Sequence, residues 1–555
     1  MLSFLLKVSW SSFTVLVPGI LLLLFLFYKW ILPKPIPGIP HNRGATRHIL
    51  GDIPDLTSRV RSTKHFWSWF SLQNKNLNSA IVQVWPRPFR KPWVIVTDFR
   101  EAQDVLLRRT TEFDRSNFFG DVFTGLIPDK HISKKSSSGE FKRNRNLLRD
   151  LMTPSQTFLH QVAAPNIYLA TTTMLQLWHE KVRLAQGRPF SVNKDVNNGA
   201  LDAIYASMEL PENPNEAVVF PTVPLPADFK AILTLTESLE TSTQSPVPKL
   251  HHWLLRQTPY MWKAIARKEG LIRRHVLDTT ERLASPSDTD KRIGCAMDDI
   301  ISREIAEARH KGRAAVTDSR PIFDELFGFL VAGHDTTSTT MTWGLKHLAD
   351  HQDVQTRLRS DLRAAFKDAV TENRRPTALE ISKSSIPYLD AVIEEILRKA
   401  QTANGIARIA LQDTTLLGYH IPKGTDVFFL GNGPSIQSPP LFVAEELRSQ
   451  TSRTTPNKIG SWELHDIAQF KPERWLTQTA QGQEFDALAG PHLAFGLGRR
   501  GCWGKRLGYL ELRLFIVLIL WDFVLQEVPQ EYNSYDWVDI LTRQTVQCYV
   551  RLQKI

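Results

Sequence analysis

The sequence predicts a mainly α-helical protein with a minor β lobe, preceded by an N-terminal transmembrane helix. Three observations carry this. The uncharged run VSWSSFTVLVPGILLLLFLFY lies between Lys7 and Lys29 and has about the twenty residues that a bilayer-spanning helix needs. Apolar residues recur at helical spacing through most segments from about Lys142 to Lys311, and again in Phe323–Leu330, Leu389–Leu397 and Leu507–Leu518. β-Branched runs are few and short: Ala80–Trp85, Trp93–Thr97 and the alternating Val546, Cys548, Val550, Leu552 at the chain's end.

The first run reads as an anchor rather than a cleaved signal peptide, because it closes on Phe27, Tyr28 and Trp30 instead of small residues. Lys29, Lys34, Arg43 and Arg47 follow it while only Lys7 and the amino terminus precede it, so the bias of basic residues places the large domain in the cytosol. LPKPIPGIP, with prolines 33, 35, 37 and 40, should form a stiff extended strut. The expected division is therefore anchor 1–30, proline-rich hinge 31–41 and one large domain 42–555. Ala80–Trp85 and Trp93–Thr97 make a plausible hairpin, and Asp98 with Glu101 three residues on makes a capping box that opens a helix through Val105 and Leu106. Proline-bearing loops interrupt the helical region at Pro211–Pro226 and Pro246–Pro248.

Composition narrows the class. Hydrophobic residues are 42% and charged residues 23% of the 555, ordinary for a globular protein. Three cysteines, Cys295, Cys502 and Cys548, are too few for a disulfide framework and suit a reducing compartment. The net charge of +11 is spread along the chain with no nucleic-acid motif beneath it, which points to a basic docking face or an anionic membrane surface and to no nucleic-acid partner.

FGLGRRGCWG, Phe495 to Gly504, admits two readings. Gly496, Gly498 and Gly501 spell a dinucleotide-phosphate loop, which must follow a buried strand and open a helix. The helix is there, but DALAGPHLAF carries glycine and proline where that strand should be. The other reading uses every residue. A thiolate ligand needs backbone N–H donors aimed at its sulfur, a tight turn to present them and a helix amino terminus behind it. The four glycines permit the turn, the helix after Gly504 supplies the dipole, Phe495 can shield the sulfur, and Arg500 can reach a carboxylate on a bound macrocycle.

These ten residues match F-x-x-G-x-R-x-C-x-G, and the chain thereby resembles the cytochrome P-450 superfamily. The resemblance implies the cytochrome P-450 fold, haem b as cofactor, Cys502 as the axial ligand of its iron, and Arg500 as a propionate partner. Three further stretches agree. In DAVIEEILRKA, Glu395 and Arg398 lie an i,i+3 step apart on the face opposite the apolar stripe, an arrangement that is usually a solvated ion pair. It resembles the family's E-x-x-R pair, and FKPERW nominates Arg474 as third member of the structural triad. In LVAGHDTTSTTMTW, Thr336 to Thr340 are five consecutive hydroxyl residues, a composition that bends helices. The stretch resembles the A/G-G-x-D/E-T-T segment, where a local distortion opens a groove for dioxygen and an acid and an alcohol, here Asp335 and Thr336, relay protons. In GEFKRNRNLLRDLM, Phe141 and Arg145 stand where the family commonly has W-x-x-x-R on a propionate, and Arg408 resembles another propionate arginine. RKAQTAN, where relatives have a proline pair, is a departure.

The implied activity is monooxygenation of an apolar small molecule, with NADPH-derived electrons delivered by a membrane-bound NADPH–cytochrome reductase, a cytochrome b-type protein being a second donor. The nearest pattern is that of fungal microsomal members engaged in secondary metabolism, at the endoplasmic reticulum membrane, single-pass, with the domain cytosolic. A reductase-independent isomerase or dehydratase and a non-enzymatic haem sensor are the alternatives; intact Asp335 and Thr336 disfavour the former. Two surface expectations complete the reading: the aromatic segment Phe113–Pro128 as a substrate lid, and a basic rim of Arg499, Lys505, Arg506, Lys142, Arg143 and Arg149 for the reductase.

Overall fold

The computed structural model describes residues 10–149, 151, 158–198, 213, 215–220, 225–285, 293–456, 459–480 and 482–555, the side chains of 10–16, 197 and 198 apart. Of the expected proline loop at 211–226, residues 211, 212, 214 and 221–224 lie outside that set.

The expected amino-terminal helix forms as α1 (Trp10–Ile31), but the transmembrane expectation needs correction. No helix among the described residues is long and apolar enough to cross a membrane. The proline strut is clamped to the domain: Ile36 and Ile39 are buried, and Gln83 donates to both their carbonyls while accepting from Ile36 N.

The β lobe is built on the expected hairpin, β1 (Ile81–Val84) and β2 (Trp93–Val96). Asp98 caps α2 (Phe99–Leu107) by accepting from Glu101 N. β3 (Phe113–Arg115) leads into α3 (Asn117–Phe123), and α4 (Gly139–Leu147) follows. Later strands β5 (Gly405–Ala410) and β6 (Asp426–Leu430) complete a five-stranded sheet ordered β1-β2-β6-β5-β3, parallel only between β2 and β6. Its register sets Arg115 directly opposite Arg408.

The helical lobe holds α5 (Ala164–Ala185), α6 (Ala227–Thr243), α7 (Pro248–Leu255), α8 (Pro259–Ala284), α9 (Ala296–His310), α10 (Arg320–Asp350), α11 (Pro387–Ala400) and α12 (Lys505–Asp522). α12 is apolar nearly all round, as a helix enclosed by others must be; Leu514, Val517 and Leu518 join Trp178 of α5, Leu345 of α10 and Leu389 of α11 in one core. The first half of α10 packs through Phe323, Phe327 and Val331 against α6, α8 and α9 in a second core. α10 thus spans both cores, and it runs without interruption through Thr336–Thr340. The chain ends in β7 (Phe523–Gln526), the hairpin β8 (Trp537–Asp539) and β9 (Arg543–Thr545), and β10 (Tyr549–Lys554). β10 lies between β7 and the short β4 (Phe190–Ser191).

Two rings of the aromatic segment expected as a lid are packed inward: Phe118 is 1% exposed and edge-packs on Trp93 at 4.8 Å, and Phe123 belongs to the second core.

Candidate active site

The Phe495–Gly504 loop connects no strand to α12; its one regular piece is a single turn at Gly498–Arg500. Cys502 N donates to Phe495 O at 2.7 Å and Gly501 N to Gly498 O at 2.9 Å, closing the turn on itself. Gly498 has φ +69°, and a Cβ there would stand 2.2 Å from the Leu106 carbonyl oxygen. Only glycine lets the loop seat against the end of α2. Gly504 caps α12, and its backbone N–H donates to the Cys502 sulfur.

Cys502 is exposed by accessible surface, yet burial pushes its thiol up, against the Gly504 N–H and the charges of Lys130 and Lys505, which favour the thiolate. A thiol both accessible and surrounded by protein lies in a recess. Within α10, Ala332 and Thr336, one turn apart in the middle of a helix packed into two cores, are exposed. The other thiols lack such a mount. Burial pushes Cys548 up to about 12, and Cys295 sits at the start of α9.

Beside the loop lies an accumulation of positive charge. Arg115 and Arg408 are cross-strand neighbours, and like charges directly opposite are destabilising on a sheet. Arg500 adds a third guanidinium. Burial, then the charges of Arg500 and Arg408, holds Arg115 well below the usual arginine range, and its buried Nε has no hydrogen-bond partner. Arg408 and Arg500 are each lowered to about 10, chiefly by burial. Asp114 is the carboxylate that offsets them, and it already accepts from Ser136 N, Ser136 Oγ and Arg115 N. An unpartnered buried Nε among three guanidiniums is a site for a ligand with more than one carboxylate. The two propionates of haem fit it, and the accessible thiol in its glycine turn fits the iron.

Arg145 lies near enough to Arg500 to lower it by charge. Its guanidinium stacks on the Trp503 ring at 4.1 Å and donates to Arg499 O. Phe141, standing where relatives carry tryptophan, turns its ring toward Arg500, Arg145 and Arg499 at 4.3, 5.5 and 5.8 Å.

Asp335 and Thr336 are adjacent on α10 but point differently. Thr336 Oγ1 donates to Ala332 O at 2.7 Å on the recess side. Asp335 is buried against the β8–β9 hairpin, accepting from Thr542 Oγ1 at 2.8 Å and Gln544 Nε2 at 2.7 Å, and burial raises its pKa. Two carboxyls escaped the sequence reading. Burial, with the charges of Asp335 and Glu237, pushes Glu240 of α6 up to about 8. Burial pushes Glu511 up to about 7 although Thr337 Oγ1 donates to it at 2.7 Å. Glu511 left a visible signal, one acid in the apolar LGYLELRLFIVLIL; Arg115, in FDRSN, left none.

The triad is compact. Arg398 donates to both Glu395 oxygens at 2.8 and 2.7 Å, Arg474 Nε to Oε1 at 3.2 Å, Lys471 N to Oε1 at 2.9 Å and Trp475 Nε1 to Oε2 at 2.9 Å. Far from a solvated pair, Glu395 and Arg398 are 0% and 1% exposed. Arg398 directs its remaining donors to the carbonyls of Ile436, Ile467 and Gln469.

The family model described as Cytochrome P450 matches residues 49–433 and 466–546. The chain belongs to the cytochrome P450 family. It is 37% identical, over 96% of its own length and 98% of the other's, to "Cytochrome P450 monooxygenase TRI13" of Fusarium sporotrichioides. It is 36% identical to "Cytochrome P450 monooxygenase GME11363" of Pestalotiopsis microspora, with 98% of each chain covered. "Hps1-dma1 cluster cytochrome P450 monooxygenase cyp3.1" of Dothistroma septosporum matches 48% of the chain, at 37% identity over 89% of that protein. The protein is accordingly a haem-thiolate monooxygenase, an oxidoreductase whose cofactor is haem b with a cysteine thiolate on the iron, and it takes a small-molecule substrate and a redox partner.

Proposed function

We propose that Cys502 is the thiolate ligand and that the cytochrome P450 monooxygenates an apolar molecule held between Cys502 and the Ala332–Thr336 face of α10. What carries this is the accessible thiol closed in its glycine turn, together with the exposed Ala332 and Thr336 within a helix packed into both cores. Thiolate-ligated haem, when bound, supplies dioxygen activation, the sulfur pushing electron density to favour O–O cleavage. The chain's residues do the rest. Arg115, Arg408 and Arg500 hold the propionates, and Phe495 keeps water from the sulfur. The Gly504 N–H and Lys505 stabilise the anionic sulfur. Thr336 presents a hydroxyl to the recess, and Asp335 stores a proton behind it, its raised pKa suited to giving that proton up inside a dry site. Glu395, Arg398 and Arg474 brace the core on the cysteine side and take no part in the chemistry.

Electrons come from an NADPH–cytochrome reductase, with a cytochrome b-type protein as second donor, reaching the basic rim at Arg499 and Lys505, both exposed. The enzyme works at the cytosolic face of the endoplasmic reticulum membrane. What supports attachment is the exposed apolar side of α1 from Leu21 to Trp30 and the exposed Leu250, Trp253, Leu254, Tyr260 and Trp262 of α7 and α8. A role in fungal secondary metabolism is supported by the relatives' names, one of which specifies a cluster. Residues 1–30, 31–41 and 42–555 are then attachment helix, hinge and catalytic domain.

The test is spectroscopic and chemical. Reduced protein under carbon monoxide should show the strongly red-shifted Soret band of thiolate ligation. Cys502→Ala should lose it while Cys295→Ala and Cys548→Ala keep it. Co-expression with a reductase should give products heavier by one oxygen. A band that survives Cys502→Ala defeats the assignment.

A further inference from the structure

Between α3 and α4 the chain buries a lysine whose charge favours the Cys502 thiolate from a distance but which is not among the groups proposed to hold the propionates or move protons. Lys130 is 6% exposed and lies flat on Gly328 of α10, where a Cβ would stand 2.2 Å from its Nζ and 2.3 Å from its Cδ. The glycine exists on the helix so that the ammonium can lie there. Gly328, Ala332 and Thr336 succeed one another at four-residue steps, hence along one face, and the latter two are exposed, on the side of α10 where the recess is proposed. The ammonium therefore sits on the wall of the same recess, about 6 Å along the helix from Ala332 and about 12 Å from Thr336. The charge of Cys502 is felt at Lys130, as that placement requires.

The ammonium is unmatched. Among the described residues Lys130 Nζ has no hydrogen-bond or ion-pair partner. Of the two carboxylates that act on it by charge, Glu325 accepts from His131 N, His131 Nδ1 and Asn144 Nδ2, and Asp324 accepts from Asp129 N through Oδ2 while its Oδ1 lies 2.7 Å from Arg320 without a hydrogen bond. Burial lowers the Lys130 pKa, and Glu325, Asp324 and Cys502 pull it back by charge alone. A buried ammonium with three idle donors is costly unless an acceptor arrives. Phe327 and Val331, beside Gly328 on α10, belong to one apolar core with Phe123, Leu126 and Ile127. A cation at the edge of an apolar recess selects an apolar molecule that carries an anionic group.

We infer that the substrate is an apolar carboxylic acid whose carboxylate is anchored by Lys130. This rests on the proposed placement of the recess between Cys502 and α10. The probes are dodecanoate and abietate, each against its methyl ester, titrated into haem-loaded full-length protein and followed by the substrate-induced Soret shift. At least one acid should bind about ten-fold or more tightly than its ester, one decade being about 1.4 kcal/mol. Lys130→Met and Lys130→Gln should erase that preference by weakening the acid and leaving the ester unchanged, and Lys130→Arg should keep it. Carbon monoxide spectra of every variant separate the two ideas: a wild type without the red-shifted band sinks the haem placement itself. With the band present, three results overturn the anchor. They are equal affinity of acids and esters in the wild type, a preference that persists in Lys130→Met because the lysine merely balances Glu325, and loss of the band in both neutral variants, which would assign the lysine to haem.

Discussion

Replacing Glu395 by glutamine removes one charge and almost no volume. Arg398 would keep its three backbone carbonyls but would lose the anion that both its Nε and Nη2 address, at 0% exposure on the carboxylate side. Arg474 would retain Asp466, to which it donates at 3.0 Å, so the uncompensated charge is that of Arg398. Removing one partner of a buried pair costs about 3–5 kcal/mol, a shift in the unfolding equilibrium of roughly a hundred- to several-thousand-fold. Urea unfolding of haem-loaded protein near neutral pH, read by Soret absorbance and far-ultraviolet dichroism, measures it. Trp475→Phe, which deletes a single hydrogen bond to the same carboxylate, should cost only about 1 kcal/mol. The pH dependence has a defined sign. Burial alone would raise the Glu395 carboxyl, but the Arg398 hydrogen bonds and charge, with Arg474, hold it below its ordinary 4.5. Its stabilising contribution is present above 4.5 and is lost as pH falls through the lower folded value, so Glu395→Gln should also flatten the acid limb. If Glu395→Gln unfolds within about 1 kcal/mol of the wild type at neutral pH, the triad is not what braces this core.

Gly498→Ala forces a side chain into a left-handed turn and onto the Leu106 carbonyl, so haem content should fall sharply while far-ultraviolet dichroism holds; normal haem loading would contradict the seating of the loop. Thr336→Ala and Asp335→Asn should bind haem and substrate but divert reduced oxygen to peroxide, measured as peroxide formed per NADPH consumed; full coupling in both removes them from proton delivery. Joint charge reversal at Lys142, Arg143 and Arg499, all exposed, should slow reductase-driven turnover, most at low salt, and leave peroxide-driven turnover unchanged. Equal loss in both assays would mean a damaged haem site.

Features set by near neighbours in the chain were legible in advance. The β1–β2 hairpin, the Asp98 cap and the apolar pattern of α12 all depend on contacts a few residues apart. Half of the capping box was misread, since the Glu101 carboxylate is buried toward Arg109 at 3.4 Å instead of returning to the cap. The last strand carries the expected alternation, with Cys548, Val550 and Leu552 buried, but Val546 is exposed and the strand proper starts at Tyr549. What stayed hidden depends on distant partners. No local rule buries Glu395 with Arg398, because Trp475 and the Ile436, Ile467 and Gln469 carbonyls that receive them arrive from later loops. Arg145 sits on Trp503 for the same reason, and Lys130 and Arg115 become interesting only once α10 and β5 lie beside them.

Arg115 and Arg408 also bear on when the fold becomes stable. Two guanidiniums face each other across β3 and β5, with Arg500 a third and Asp114 their carboxylate; burial first, and then the charges of Arg500 and Arg408, depress Arg115, and burial with the charge of Arg500 depresses Arg408. Bidentate guanidinium–carboxylate contacts are the strong ones, so a dicarboxylate here converts a repulsive cluster into a matched one. A ligand that binds only the folded chain stabilises it by mass action. If the propionates bind as proposed, the β lobe, which supplies Arg115 and Arg408, and the Cys502 loop, which supplies Arg500, would be held together through them as well as through their own packing. The arginines would then keep the cofactor and join two parts of the chain, a task separate from the chemistry proposed at the Thr336 face.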